Sequence, residues 1–274
     1  MYVLLLRLAL GLYGVGFVHS VLTVLKRKQA FFGPAAIAVG VGFACQAASI
    51  VIRGVERGSI PLTQTYESFS FFAAVAVLAF FLVYFKYRMA SLGVFAFPVI
   101  FIMTFMANLD RDSAGSIPAV LRLPGSEWIY IHTPSVILAY VALFIAFSAA
   151  VLYLLQEREL KSKHPRMFYN RLPSLEICDD LAYRALAIGF PLMTLGILAG
   201  ALWAQTVWGT VWTSDHKILF SIFTWLIYLF LIHYRFIAGW RGRKAAYLSI
   251  AGFVGVLVTF LGASYFTDLH TFNQ

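Results

Sequence analysis

Long apolar stretches separated by short polar segments dominate the chain. Each stretch has about 20 residues, which is the length an α-helix needs to cross the hydrocarbon core of a bilayer. The pattern predicts an all-α polytopic membrane protein, a bundle of eight transmembrane helices in a single domain over residues 1–274. The predicted spans are roughly 2–24, 30–52, 65–85, 90–108, 131–155, 183–204, 218–234 and 245–266.

The composition supports a membrane protein. Hydrophobic residues make up 61% of the chain, charged residues only 12%, and the mean hydropathy is +0.82. A soluble domain is about half apolar and about a quarter charged. The first apolar stretch is too long for a cleavable signal, so we expect it to stay as a span. Cys45 and Cys178 lie far apart and predict neither a disulfide nor a CxxCH haem-attachment site.

The basic residues predict the orientation. The segments after spans 1, 3, 5 and 7 hold 14 of the 21 lysines and arginines, whereas the other three segments between spans hold five. By the positive-inside rule, the first set lies in the cytoplasm. Both termini are then extracytoplasmic, in a bacterial inner membrane. Residues 157–182 form a cytoplasmic loop and residues 205–217 an external one. The net charge of +9 is thus a topology signal and predicts no nucleic acid partner.

Four of the six histidines fall into two pairs at matching predicted depths. His19 and His233 come near the cytoplasmic ends of spans 1 and 7, so both lie in the inner part of the membrane. His132 opens span 5 and His270 follows span 8, so both lie at the outer face. His164, by contrast, is surrounded by basic residues in the cytoplasmic loop and is interpreted as a solvated surface residue.

Paired imidazoles from different helices suit haem, because histidine is a common axial ligand of haem iron. An ionisable residue inside the bilayer is costly and usually marks a site. Zinc would require three or four ligands at tetrahedral spacing, which the sequence does not offer. Two other interpretations stay open: a proton relay through single histidines, and an ordinary interfacial role for the two outer histidines.

The external loop is rich in tryptophan. "WAQTVWGTVWTSDHK", residues 203–217, contains Trp203, Trp208 and Trp212, with Asp215 near its end. Tryptophan is enriched at membrane interfaces, which accounts for one or two of these indoles. Three of them beside a charged group also suit a large planar ligand with a polar rim, such as a porphyrin.

This loop resembles the tryptophan-rich WWD signature of the cytochrome c assembly proteins, which include CcsA, CcmC and HemX-type proteins. The signature is degenerate here, since Ser214, His216 and Ile218 replace the usual tryptophan, proline and glutamate. The resemblance extends over most of residues 61–274. The other similar segments are "PLTQTYESF" from Pro61, "EWIYIHTPSVILAY" from Glu127, "GFPLMTLGILAGALWA" from Gly189, "WRGRKAAYLSIAGFVGVLVTFLGASYF" from Trp240 and the terminal "LHTF".

The resemblance implies a protein that binds and delivers haem b without a covalent bond. His132 and His270 correspond to the family's two external histidines, and His233 corresponds to a membrane histidine. His19 is assigned from its depth and by analogy. Trp203, Trp208, Trp212 and Asp215 would complete the external haem site. The implied partners are haem, a second membrane assembly protein, apocytochrome c or a cytoplasmic haem-synthesis enzyme.

Two alternative functions remain open from the sequence. A HemX-type protein would regulate tetrapyrrole synthesis through glutamyl-tRNA reductase, and a transmembrane b-type cytochrome would carry electrons between two haems. An enzyme acting by itself is not predicted, because no GxSxG, HExxH or P-loop pattern is present. Glu67 is interpreted as a helix-start residue that complements the helix dipole. Haem attachment within a larger system remains open.

Overall fold

The architecture is helical, as predicted. A computed structural model describes residues 1–25, 32–109, 126–162, 172–210 and 216–266. These residues form α-helices and two short 3₁₀-helices, Ala90–Leu92 and Ser126–Trp128, and they contain no strand. The α-helices are α1 Tyr2–Leu25, α2 Phe32–Arg57, α3 Thr65–Tyr87, α4 Gly93–Leu109, α5 Ile129–Lys161, α6 Leu175–Trp208, α7 His216–Phe236 and α8 Arg243–Phe266.

Within these described ranges, seven helices, α1 to α7, are long and apolar enough to cross a membrane, with Ala90–Leu92 contributing to the fourth. Helix α8 has 24 residues and coincides with the eighth predicted span. Each predicted span thus corresponds to one helix, and the predicted multi-pass helical fold is confirmed. An α-helix makes most of its backbone hydrogen bonds within its own segment, as a chain in hydrocarbon requires.

Helices α5 and α6 are longer than the spans predicted for them. Helix α5 continues to Lys161, and α6 begins at Leu175 and ends at Trp208. Parts of the predicted loops 157–182 and 205–217 are therefore helical. At the start of α6, Ser174 accepts a hydrogen bond from the backbone N–H of Ile177, which is an N-cap contact that starts the helix among polar residues.

The chain forms two compact units, and the single membrane domain stays a prediction. The first unit is Met1–Ile117, with helices α1 to α4, and the second is Pro118–Gln274, with helices α5 to α8. The outer histidines and the tryptophan-rich loop belong to the second unit by sequence. His19 belongs to the first unit and His233 to the second.

The first unit is held by small residues and by a buried polar chain. Gly42 of α2 allows the ring of Tyr13 to approach, since a Cβ built there would lie 2.7 Å from Cε1 of Tyr13. The Tyr13 hydroxyl donates to Oε1 of Gln46 at 2.7 Å, and Nε2 of Gln46 donates to the carbonyl oxygen of Ser70 at 3.0 Å. Helices α1, α2 and α3 are therefore joined by hydrogen bonds within their apolar interior.

The second unit is built around the α5–α6 pair, where glycines of α6 face bulky side chains of α5. A Cβ on Gly189 would lie 2.9 Å from Leu143, and one on Gly196 would lie 2.6 Å from Val136. At the N-terminal end of α6, Arg235 of α7 donates to the carboxylate of Asp179 at 2.8 Å. The backbone N–H of Gly242 donates to the same carboxylate at 3.0 Å, so α6 is tied to the turn between α7 and α8.

Candidate functional site

His132 lies in the first turn of α5, and its ring packs against a glycine-lined face of α6. Its Nδ1 lies 2.7 Å from the carbonyl oxygen of Gly196. Because a carbonyl oxygen only accepts, Nδ1 carries the proton and donates. The lone pair of the neutral ring is then on Nε2. Metal-binding histidines commonly have this arrangement, with one nitrogen directed to the metal and the other N–H held by a carbonyl.

The face of α6 that supports His132 continues to the first tryptophan of the motif. Gly196, Gly200 and Trp203 follow at the spacing of one helical stripe. His132 contacts the stripe at Gly196 and Gly200. The structure therefore brings this histidine onto the same side of α6 as Trp203, which is another residue of the predicted external site.

Helix α6 ends within the motif because of Gly209. This glycine has φ +72°, a left-handed conformation, and its N–H donates to the carbonyl oxygen of Gln205 at 3.1 Å. The Gln205 side chain in turn donates to the Gly209 carbonyl at 3.2 Å. A left-handed glycine is a common helix stop. The "WG" pair of the motif thus fixes where the helix stops and where the loop begins.

The structure describes only part of the predicted external site. Trp203 is buried, with 4% of its surface exposed, so its indole lies inside the second unit rather than on an open ledge. Trp208 is the last residue of α6. Trp212, Asp215 and His270 lie outside the described residues, as does His164. The outer pairing of His132 with His270 therefore stays a prediction.

The two predicted inner histidines lie at the ends of their helices. His19 is near the C-terminal end of α1, and its Nδ1 lies 3.0 Å from the carbonyl oxygen of Val15. This nitrogen is therefore a donor, as in His132. His233 is exposed in the last turn of α7, with its ring 5.6 Å from that of Tyr234. Their pairing also stays a prediction.

A charged cluster at the start of α3 is more elaborate than the sequence indicates. Glu67 reaches back to the backbone N–H of Gln64 at 3.2 Å, which confirms its interpretation as a helix-start residue. Its carboxylate also accepts from Arg57 at 2.6 Å and lies 3.5 Å from Nε of Arg53. The Glu67 side chain is only 1% exposed. The spacing of Arg53 and Arg57, one turn apart at the end of α2, is the sequence feature that could have predicted this charged cluster.

The described residues contain no group of three or more histidine, cysteine, aspartate or glutamate side chains that could hold a metal ion. Haem iron places a different demand on the protein, since it requires only one or two axial ligands. The imidazole of His132, with Nδ1–H fixed by a backbone carbonyl, suits that demand.

Comparison with known proteins decides the family. The family model described as "Cytochrome C assembly protein" matches residues 62–270. The chain belongs to the cytochrome c assembly family. The match covers His132, His233, His270 and the tryptophan-rich loop, whereas His19 lies outside it.

Individual relatives of this cytochrome c assembly protein carry one name. A "Cytochrome c biogenesis protein CcsA" of Guillardia theta is 31% identical over 271 residues, which cover 90% of this chain and 88% of the relative. Proteins of the same name from Prochlorococcus marinus and Microcystis aeruginosa are 32% and 29% identical, and cover 82% and 86% of this chain. The matches cover 79% and 86% of these two relatives. The shared name supports a role in cytochrome c assembly and does not favour the HemX-type or b-type cytochrome alternatives.

Proposed function

We propose that the chain binds haem b non-covalently and delivers it for cytochrome c assembly. The observation that supports this most directly is the geometry of His132. Its Nδ1–H is held by Gly196, and its ring rests on the α6 stripe that leads to Trp203 and the tryptophan-rich loop. The whole haem would be the group that is delivered. The protein would supply axial ligands to its iron and would hold the porphyrin in a defined orientation.

The proposed outer site combines His132 and His270 as axial ligands with the indoles of Trp203, Trp208 and Trp212. Trp203, being buried, would form an inner wall, while the other two would offer aromatic surface to the porphyrin. Asp215 would lie at the polar rim. A low-dielectric setting with a few placed polar groups is typical of small-molecule sites.

The proposed inner site uses His19 and His233, which the positive-inside rule places near the cytoplasmic side. An imidazole within a transmembrane segment is costly unless it serves a site. His19 fits the ligand role in its chemistry, because the carbonyl of Val15 holds Nδ1 and the lone pair of the neutral ring is on Nε2. Haem would then pass from the inner to the outer site before it reaches a partner such as apocytochrome c or a second membrane assembly protein.

Haem quantification on the purified protein tests the proposal. Wild type should give a pyridine haemochrome spectrum, and the spectral bands should change in His132→Ala and in the double variant His19→Ala/His233→Ala. His164→Ala provides the matched control, since this histidine is predicted to lie in the cytoplasmic loop. A haem-free wild type would overturn the proposal, and equal losses in all variants would show that no particular histidine is a ligand.

The number of haems distinguishes delivery from electron transfer. A carrier should hold one haem or a sub-stoichiometric amount per chain, because its ligand is passed on. Two stoichiometric haems with reversible redox potentials would instead support a transmembrane b-type cytochrome.

The proposed orientation is testable with cysteine labelling. In a background of Cys45→Ala and Cys178→Ala, Ser214→Cys should react with a membrane-impermeant maleimide in intact cells. Ser162→Cys should react only after the cells are permeabilised. The reverse result would place the tryptophan-rich loop in the cytoplasm and exclude the proposed external site.

A further inference from the structure

An open groove lies within the second unit, between the C-terminal turns of α5 and the N-terminal turns of α8. Its volume is about 580 Å³. The floor is apolar, formed by Val151, Leu154, Leu155 and Ile250. The rim is charged, with three cations, Arg158, Lys161 and Arg243, and two carboxylates, Glu157 and Glu159. The groove is therefore amphipathic along its length.

The rim has a surplus of positive charge at its centre. Nζ of Lys161 lies 2.6 Å from one oxygen of Glu157, and Nε of Arg243 lies 4.0 Å from the other. Two cations from different helices thus share one carboxylate. Glu157 is largely buried, with 18% of its side chain exposed, whereas the Lys161 and Arg243 side chains are 66% and 59% exposed. Both cations are therefore accessible from the surface.

Arg243 is also held in place by a neighbouring side chain on its own helix. Its guanidinium donates to the Tyr247 hydroxyl at 3.1 Å. This hydrogen bond, followed by Coulombic attraction to Tyr247 and Glu157, raises the pKa of Arg243 above its ordinary value. Because an arginine side chain is protonated at physiological pH whatever its neighbours, the positive charge at the rim is permanent.

Helix length and the positive-inside rule predict that the groove lies where a membrane changes from hydrocarbon to headgroups. Helix α5 has 33 residues, about 50 Å at 1.5 Å per residue, so it exceeds the roughly 30 Å hydrocarbon core. The apolar floor comes from Val151 to Leu155, and the charged rim follows within the next two turns. The charges fall among the basic residues that the positive-inside rule assigns to the cytoplasmic face.

We propose that this groove is a binding site for an anionic glycerophospholipid. Its phosphate lies between Lys161 and Arg243, and one acyl chain lies along Leu154, Leu155 and Ile250. A basic pocket between transmembrane helices at the cytoplasmic side suits a phospholipid headgroup. The apolar floor selects an amphiphile over a soluble anion. Among the described lining residues, only Tyr247 is of a type that ligates haem iron, and its hydroxyl already accepts from Arg243, which argues against haem as the occupant. The inference is independent of the proposed haem sites.

Lipid retention on the full-length protein tests this site. The protein is reconstituted in nanodiscs of phosphatidylcholine alone or with phosphatidylglycerol, extracted, and analysed by native mass spectrometry for bound lipid. Wild type should retain phosphatidylglycerol selectively. Lys161→Gln/Arg243→Gln should lose that selectivity by roughly 30-fold, since each cation near an anionic headgroup contributes about fivefold. Arg184→Gln is the matched control, because Arg184 is 56% exposed and lies outside the groove.

Thermal unfolding separates loss of binding from loss of folding. In phosphatidylcholine, the double variant should still unfold cooperatively, at a somewhat lower temperature because Glu157 loses both cations. Only wild type and Arg184→Gln should gain stability from phosphatidylglycerol. Equal lipid retention by the double variant and wild type would overturn the proposal. The proposal would also be overturned if Arg184→Gln lost as much lipid as the double variant, because lipid retention would then depend on the total charge of the protein. A double variant that retains lipid but loses haem would assign the groove to haem.

Discussion

The ring of His132 and the backbone of Gly200 are so close that no side chain fits between them. A Cβ built on Gly200 would lie 2.6 Å from Nδ1 and 2.8 Å from Cε1 of His132. Real Cβ contacts do not occur at such distances, so a residue other than glycine would displace the imidazole from its carbonyl partner. The glycine at position 200 therefore positions the histidine.

We expect Gly200→Ala to reduce haem content and to shift the haem absorption bands. Overpacking of this kind costs about 1–3 kcal/mol, and here the flexible element is the proposed ligand. Gly189→Ala is the matched control, because its Cβ would meet Leu143 at 2.9 Å in the same α5–α6 interface without contacting His132. A haem loss in Gly189→Ala equal to that in Gly200→Ala would show that helix packing, and not the imidazole, determines haem content.

The carboxylate of Glu67 should contribute strongly to stability. Glu67→Gln leaves Arg57 buried without its charged partner, and breaking a buried pair in this way typically costs about 3–5 kcal/mol. Asp180→Asn removes the same kind of group from the exposed pair with Arg184, where about 0–1 kcal/mol is expected. Unfolding by SDS titration in mixed micelles measures both. Similar losses in the two variants would contradict the importance of the cluster.

The hydrogen bond between Tyr13 and Gln46 should couple helices α1 and α2. Tyr13→Phe and Gln46→Leu each remove one partner, and the double variant removes both. A double-mutant cycle should give a coupling energy of about 1 kcal/mol, the range typical of hydrogen bonds between membrane helices. If the changes in folding free energy of the two single variants simply add in the double variant, the hydrogen bond contributes no measurable coupling. The folding free energy of each variant is the quantity to measure.

The end of α6 should depend on the conformation of Gly209. Gly209→Ala forces a Cβ into a left-handed backbone with φ +72°, at a cost of about 1–2 kcal/mol. Gly209→Asn should be milder, because asparagine tolerates this region. Limited proteolysis of the loop around residues 211–215 should be faster in Gly209→Ala than in Gly209→Asn. Equal rates in both variants would argue that the helix stop is set elsewhere.

The sequence predicts the helices well because their signal is local. Apolar length determines where α1, α3, α4, α7 and α8 lie, and these agree closely with the predicted spans, whereas α2 continues five residues past its predicted end to Arg57. The ends of α5 and α6 are different. Their polar residues have the composition of a loop, yet they continue the helices beyond the apolar segments. At the start of α6, the ion pair between Asp179 and Arg235 stabilises the added turns. These two residues lie far apart in the chain.

In the candidate site, too, contacts between distant residues determine what the sequence alone does not predict. Counting residues gives the depth of His132 in the membrane but not the direction in which its ring points. That direction depends on Gly196 and Gly200, which become relevant only once α5 and α6 pack together. Likewise, the sequence predicts that the indoles suit a planar ligand, but the burial of Trp203 follows from its position on the inward stripe of α6.

Helix α6 connects two anchored contacts of the second unit. With 34 residues it is about 51 Å long. Asp179 fastens one end to α7 and the following turn, while Gly200 carries the imidazole of His132 near the other. Pro191 lies between them, where an α-helix bends most readily. A bend at this proline would therefore change the angle between the segment held at Asp179 and the segment that carries His132.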